Sequence, residues 1–354
     1  AKVFQKRGHE ARRPLRAIKI GKAGPRGCRR NVGVGNGITL AGKEHLVNVK
    51  ATSDLPKPCW PVLVTGAGGL LGHALGPRLA QAAPAPEALV LTDLAPGTGP
   101  AGVPIRPLDV TDARAVARAV RDLEPRTIFH LAAWTDVDAA ETHEALVRRL
   151  NVEAAGSVAR AAAQAGALLV HMSTDFIFDG ANEKPYVEDD PPSPLGVYAR
   201  SKAESETAVR EAAPERHLIV RTAWLYGDGG PNFVRTILAR ARAGEPLRVV
   251  RDQVGCPTWN EDLAAALVAM VGADLRGTFH ACGRGAASRY DLAVEIVRAA
   301  DLAVPVEPIE SRDRRGEARR PARAVLSTEK LARQAGYQFP DWRESVRTYV
   351  ARAR

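Results

Sequence analysis
The sequence predicts an α/β fold: a doubly wound parallel sheet with a smaller mixed lobe towards its C-terminus. Three observations carry that expectation. Short apolar runs alternate with stretches of helical period from 61 to 222, the pattern of parallel strands covered by helices on both faces. The first run opens into a glycine-spaced turn and then a helical pattern. Tyr198 and Lys202 stand four residues apart in a later helical stretch, so their side chains share one face.

Residues 61–65, Pro-Val-Leu-Val-Thr, read as the first strand. Gly66, Gly69 and Gly72 follow, with Leu70 and Leu71 between the last two. Glycines so spaced let the backbone turn tightly, approach a pyrophosphate and pack helix on strand. The helix N-terminus then offers N–H groups to phosphates. The strand before and the helix after supply the context of a Rossmann-type dinucleotide site. A second strand at 88–92 is closed by Asp93, 21 residues beyond Gly72. A carboxylate there accepts hydrogen bonds from an adenosine ribose and repels a 2′-phosphate, which favours NADH over NADPH. A simple turn cap is the plainer alternative.

A strand at 103–108 precedes Asp109 and Val110. Asp109 stands where it can cap the next helix near Thr111. A strand at 127–132 ends in small residues, and a long helix covers 141–165. A strand at 168–173 leads into Thr174 and Asp175, and a Pro- and acid-rich loop at 182–194 precedes the Tyr198 helix. Residues 218–222 form a further strand. Catalytic groups belong at the carboxyl ends of such strands, in the crevice where strand order reverses. Thr65, Ala132, Ser173 and Thr222 fall there. Beyond Trp224 the elements shorten, with helices at 232–243, 261–271, 288–300 and 343–351 and a strand at 277–281. The expected division is a leader at 1–60, a dinucleotide-binding domain mainly at 61–223 and a substrate-binding lobe mainly at 224–354.

The Tyr198–Lys202 pair carries chemistry. An ammonium beside a phenol favours the phenolate, which eases proton transfer to an oxygen as hydride reaches the adjacent carbon. Alone the pair is weak evidence, since a helix-start Tyr near a solvated Lys is common.

The 354 residues carry a net charge of +10, but the charge is uneven. Residues 1–60 hold 14 Lys or Arg against 3 Asp or Glu, and the remainder holds 36 against 37. The basic character therefore belongs to the leader and gives no reason to expect nucleic acid on the main domain. With little apolar periodicity, the leader reads first as a disordered basic arm. An RNA- or acidic-surface-binding arm and an organelle transit segment are the alternatives. No apolar run reaches the length of a membrane span, and no charged-then-apolar secretory pattern is present. Cys28, Cys59, Cys256 and Cys282 form no close pair in sequence and have no His at ligand spacing. They read as free thiols in a reducing, cytoplasmic setting, and no metal is expected. His130, His171 and His280 read as core histidines.

From Pro61 onward the motifs together resemble the extended short-chain dehydrogenase/reductases, and more closely the dTDP-4-dehydrorhamnose reductase family. The specific segments are Ala132-Ala-Trp-Thr-Asp-Val-Asp-Ala-Ala-Glu141, Ser173-Thr-Asp-Phe-Ile-Phe-Asp-Gly180, Arg221-Thr-Ala-Trp-Leu-Tyr-Gly227, Asp252-Gln-Val-Gly-Cys-Pro-Thr258 and Arg320-Pro-Ala-Arg323. Departures are Trp134 and Phe176 where members often carry Tyr, and Ala223 where they often carry Ser.

The resemblance implies reduction of the C4 keto group of a dTDP-4-keto-6-deoxy sugar by NADH or NADPH. It implies Tyr198 as proton donor, Lys202 on the nicotinamide ribose and Thr174 on the substrate carbonyl. Gly66, Gly69, Leu70, Leu71, Gly72, Asp93, Asp109, Val110, Ala132, Ala133 and Thr135 would complete the cofactor site with Tyr198 and Lys202. Thr135, Val137, Asp175, Trp224, Asp252, Gln253 and Arg320 would shape the sugar-nucleotide pocket. Each has a plainer reading: Thr174 and Asp175 as a turn cap, Trp224 as a core anchor, Asp252 and Gln253 as turn residues. Another nucleotide-sugar reductase or epimerase, and a non-catalytic regulatory subunit on the same fold, stay open. So does a homodimer.

Overall fold
The computed structural model describes residues 60–313 and 318–353. The leader predicted at 1–60 lies outside them except for Trp60, as do Cys28 and Cys59. Strand β1 (Val62–Thr65) is buried along its whole length, as an uninterrupted apolar run in a two-faced parallel sheet must be. Helix α1 (Leu70–Ala82) follows the glycine turn. Strands β2 (Leu89–Asp93), β3 (Gly97–Thr98) and β4 (Pro104–Pro107) come next. Helix α2 (Ala113–Leu123) starts at Asp112, whose side chain accepts the Arg114 and Ala115 N–H groups. Val116 and Val120 bury its inner face.

Strand β5 (Thr127–His130) leads to a short helix, α3 (Val137–Ala140). The long helix expected at 141–165 is α4 (Glu144–Arg148) and α5 (Ala154–Gln164), joined by a π-helical turn at Arg149–Glu153. Strand β6 (Leu168–Thr174), helix α6 (Val197–Ala212) and strand β7 (His217–Thr222) complete the first half. Small residues on α5 (Ala154, Ala155, Gly156, Ala159 and Ala162 among them) bury its packed face.

The second half comprises β8 (Leu225–Tyr226), α7 (Phe233–Arg242), β9 (Leu247–Val250), β10 (Val254–Gly255), β11 (Thr258–Trp259) and α8 (Asn260–Gly272). After these come β12 (Gly277–His280), β13 (Ala287–Ser288), α9 (Arg289–Ala299), β14 (Val306–Ile309), α10 (Glu329–Ala335) and α11 (Trp342–Arg352). The main sheet runs β12-β7-β6-β5-β1-β2-β4-β3 and is parallel but for β3. Chain order reverses between β1 and β5, so a crevice opens there at the carboxyl ends.

The second half does not form a lobe throughout. Residues 277–280, read from sequence within the smaller lobe, are the edge strand β12, paired in parallel with β7. Helix α8 is apolar nearly all round and shares a core cluster with α1, which is how a helix buried in the sheet layers reads. The remaining helices α7, α9 and α11 pack around Tyr226, Trp259 and Trp342 in a separate cluster beside the sheet. No helix among the described residues is long and apolar enough to cross a membrane.

Candidate active site
The glycine turn is built for close approach. Gly66 has φ +72°, and a Cβ there would lie 2.4 Å from the Ala132 backbone nitrogen. A Cβ on Gly72 would strike the Ala67 carbonyl oxygen at 2.3 Å. Gly69 N-caps α1 without a side-chain hydrogen bond, so the first-turn N–H groups have no capping side chain competing with a phosphate. Asp93 ends β2 and leans over the turn: its Oδ2 accepts the Gly68 N–H at 2.9 Å and its Oδ1 the Leu94 N–H at 2.7 Å. These features fit a dinucleotide. Gly66→Ala should destabilise the fold by more than about 1 kcal/mol from the left-handed backbone alone and weaken binding of a nicotinamide dinucleotide. Gly97→Ala, with nothing within 4 Å of the added carbon, should stay within about 0.5 kcal/mol. Urea midpoints and NADH fluorescence titrations check both.

Asp109 does not cap α2. Its Oδ1 accepts the Thr111 N–H at 2.8 Å and the Thr111 hydroxyl at 2.7 Å, while Asp112 takes the cap. Val110 is buried beside α2 and α5. The loop after β5 carries Ala132, Ala133 and Thr135, and Val137 opens α3. Sequence reasoning missed how that loop is held. Buried Asn151, in the π-helical turn, accepts the Trp134 N–H at 2.7 Å. Its amide donates to the Trp134 carbonyl at 3.2 Å and to Ser201 Oγ at 2.9 Å. Ser201 in turn donates to the Tyr198 carbonyl at 2.7 Å, so one side chain ties the β5 loop to the Tyr198 helix. Glu141 is a second such residue. Its Oε1 accepts the Val197 N–H at 2.9 Å, capping a helix whose own N-cap is glycine.

Thr174 ends β6 and its hydroxyl donates to Asp175 Oδ1 at 3.0 Å. Tyr198 lies opposite, edge-on to Phe176 with ring centroids 6.0 Å apart. Burial pushes the Tyr198 phenol up to about 12; the Thr174 hydrogen bond opposes this and the Asp175 charge adds to it. Burial pushes Lys202 down to about 8, against the attraction of Glu206. The electrostatics thus correct the sequence expectation, because desolvation of the phenol outweighs any help from the ammonium. At neutral pH Tyr198 carries its proton and Lys202 its charge. Asp175 is buried, its Oδ2 has no hydrogen-bond partner among the described residues, and burial pushes its carboxyl up to about 7.

His130, His171 and His280 are buried and held neutral, chiefly by desolvation. His130 and His171 stack beneath the site with ring centroids 5.5 Å apart. Cys256 and Cys282 are buried free thiols that meet at the Leu326 carbonyl, at 4.0 and 3.9 Å, a proximity invisible in their spacing.

The residues expected at the outer sugar-nucleotide pocket are tied to their neighbours. Both oxygens of Asp252 accept the Ser311 N–H, at 3.0 and 2.9 Å, and Gln253 Nε2 donates to Ser311 Oγ at 2.9 Å. Arg320 pairs with Asp138 of α3 at 2.7 Å. Trp224 follows β7 with φ +45°. The structure therefore gathers Thr174, Asp175, Tyr198 and Lys202 at the carboxyl end of β6, while Asp252 and Gln253 bond Ser311 and Arg320 bonds Asp138.

A protein family described as RmlD substrate binding domain matches residues 60–354. The chain is 38% identical over 299 residues to a dTDP-4-dehydrorhamnose reductase of Sinorhizobium fredii, covering 81% of this chain and 95% of that protein. It resembles the crystal structure of a Clostridium acetobutylicum dTDP-4-dehydrorhamnose reductase at 34% identity and a TM-score of 0.76, covering 82% of this chain and 99% of that one. It likewise resembles the Bacillus anthracis dTDP-4-dehydrorhamnose reductase in complex with NADP, at 32% identity and a TM-score of 0.74, covering 83% and 99%. A glycine turn, a half-buried Tyr198 beside a buried Lys202, and a family match reaching from the first strand to the last helix agree, and the chain belongs to the RmlD substrate binding domain family.

Proposed function
We propose that this chain reduces the C4 keto group of dTDP-4-dehydrorhamnose to give dTDP-L-rhamnose, with NADH preferred over NADPH. The observation that carries this reading is the cluster of Thr174, Tyr198 and Lys202 at the carboxyl end of β6, beside the crevice where strand order reverses. The nicotinamide dinucleotide, when bound, supplies the hydride. Gly66, Gly69 and Gly72 give its pyrophosphate room, and the start of α1 offers it N–H groups. Tyr198, protonated at neutral pH, gives its proton to the oxygen at C4. The Thr174 hydroxyl, which otherwise donates to Asp175 Oδ1, turns to hold that oxygen by hydrogen bond, and Lys202 keeps a positive charge beside the forming alkoxide. Asp175, Trp224 and Val137 orient the sugar.

The cofactor preference rests on Asp93. Its carboxylate is fixed over the turn by two backbone N–H groups, where it accepts ribose hydroxyls and opposes a 2′-phosphate. Mixing the protein with dTDP-4-dehydrorhamnose and following loss of reduced-nicotinamide absorbance tests the whole reading. The expected result is turnover with both dinucleotides and kcat/KM for NADH higher by about tenfold, the equivalent of ~1.4 kcal/mol. Asp93→Asn should narrow that ratio. No absorbance loss with either dinucleotide overturns the reductase assignment, and faster turnover with NADPH overturns the role of Asp93.

A further inference from the structure
Trp224 holds a left-handed backbone, φ +45°, a conformation that persists in a large residue only where its surroundings impose it. Two neighbours fix where its indole lies. A Cβ on Gly255 would lie 2.5 Å from Trp224 Cε2, so the absence of a side chain there admits the indole. Over the ring itself lies the Arg289 guanidinium, its Cζ 3.5 Å from the ring centroid. Phe233 lies 5.1 Å from the same carbon. Arg289 opens α9, whose start is fixed by the Ser288–Asp291 capping box. Its N–H donates to the Gln253 carbonyl at 3.1 Å. The anchored helix terminus thus delivers a planar cation to the indole face, the geometry in which cation–π attraction acts.

Building on the reductase reading above, we propose that Arg289 is a positioning residue of the sugar pocket, clamping the Trp224 indole in place. The clamp needs a flat cation, which guanidinium is and ammonium is not.

Arg289→Met and Arg289→Lys keep a long aliphatic stem but lose the flat guanidinium. R289M should raise KM for the nucleotide sugar about tenfold with a smaller fall in kcat. R289K, which keeps the charge without the flat face, should keep most of the raised KM. Near-UV circular dichroism and tryptophan emission report the clamp without turnover: R289M should alter both, and the alteration should vanish in a W224F background. An unaltered KM in R289M overturns the proposal, as does a spectral change that persists with Trp224 gone. A KM in R289K equal to the parent's overturns the need for a flat cation. Failure of the parent protein to reduce the ketosugar would sink the reductase reading instead, and the spectra would still decide the clamp.

Discussion
Replacing Tyr198 with Phe should lower kcat by about 10²–10⁴-fold, the usual worth of a positioned general acid, and leave dinucleotide affinity largely intact. The substitution removes one hydroxyl. The ring keeps its edge-on contact with Phe176 at 6.0 Å, and the backbone carbonyl of residue 198 still accepts from Ser201, so the helix start is undisturbed. What is lost is the proton that burial keeps on the phenol up to about 12. Stopped-flow reduction of the ketosugar, with dinucleotide binding measured separately, checks the split. A variant retaining kcat within tenfold of the parent would show that another group donates the proton.

The pH dependence separates Tyr198 from its neighbour. Lys202 is held at about 8 by burial, so its ammonium is present below that pH and lost above it. The parent enzyme should therefore lose activity as pH rises through about 8, long before the phenol at about 12 gives up its proton. Lys202→Met should remove that alkaline limb together with most of the activity, since no charge is then left beside the alkoxide.

These two residues also show what the sequence could and could not disclose. The glycine turn, Asp93 and the Tyr198–Lys202 spacing were legible because each expresses a local rule: a backbone that must turn, a strand that must end, a helix face. The sense of the phenol's shift was not legible. It depends on how far the packing around α6 takes the phenol out of water, which spacing does not encode. Arg289 went unread for a similar reason. It meets Trp224 across 65 positions of sequence, through a helix terminus whose direction only the packed lobe sets. Asn151 sat inside an unbroken helical pattern, and nothing in that pattern announces the π-helical turn that aims it at the β5 loop. Helix α8 and strand β12 read as parts of a smaller lobe because apolar period alone does not say which layer a late element rejoins.

Replacing Arg221 with Met should destabilise the protein by about 3–5 kcal/mol, the usual result of stripping one partner from a buried ion pair. Arg221 and Glu206 are 2% and 0% exposed. The guanidinium donates to both carboxylate oxygens, at 2.9 and 2.8 Å, and to the Glu188 carbonyl at 3.0 Å. It also lies 5.4 Å from the Phe178 ring centroid. This network pins the loop before α6 to the carboxyl end of β7, behind the catalytic cluster. Burial alone would push the Glu206 carboxyl up, but the hydrogen bonds and charge of Arg221 hold it below its ordinary range. A depressed carboxylate contributes stability above the usual carboxylate pKa and loses it as pH falls through that range. In the Met variant the balance reverses: Arg210 remains at 2.7 Å but is half-exposed, and burial again favours the acid. The deficit should therefore be largest at neutral pH and should shrink as acid protonates Glu206. Urea unfolding at several pH values reads this directly. The double variant Arg221→Met, Glu206→Leu should recover much of the loss, because it leaves no buried charge unpaired. A single variant within about 1 kcal/mol of the parent at neutral pH would mean that Arg210 and solvent suffice to satisfy Glu206, and that the pair does not hold this corner of the site.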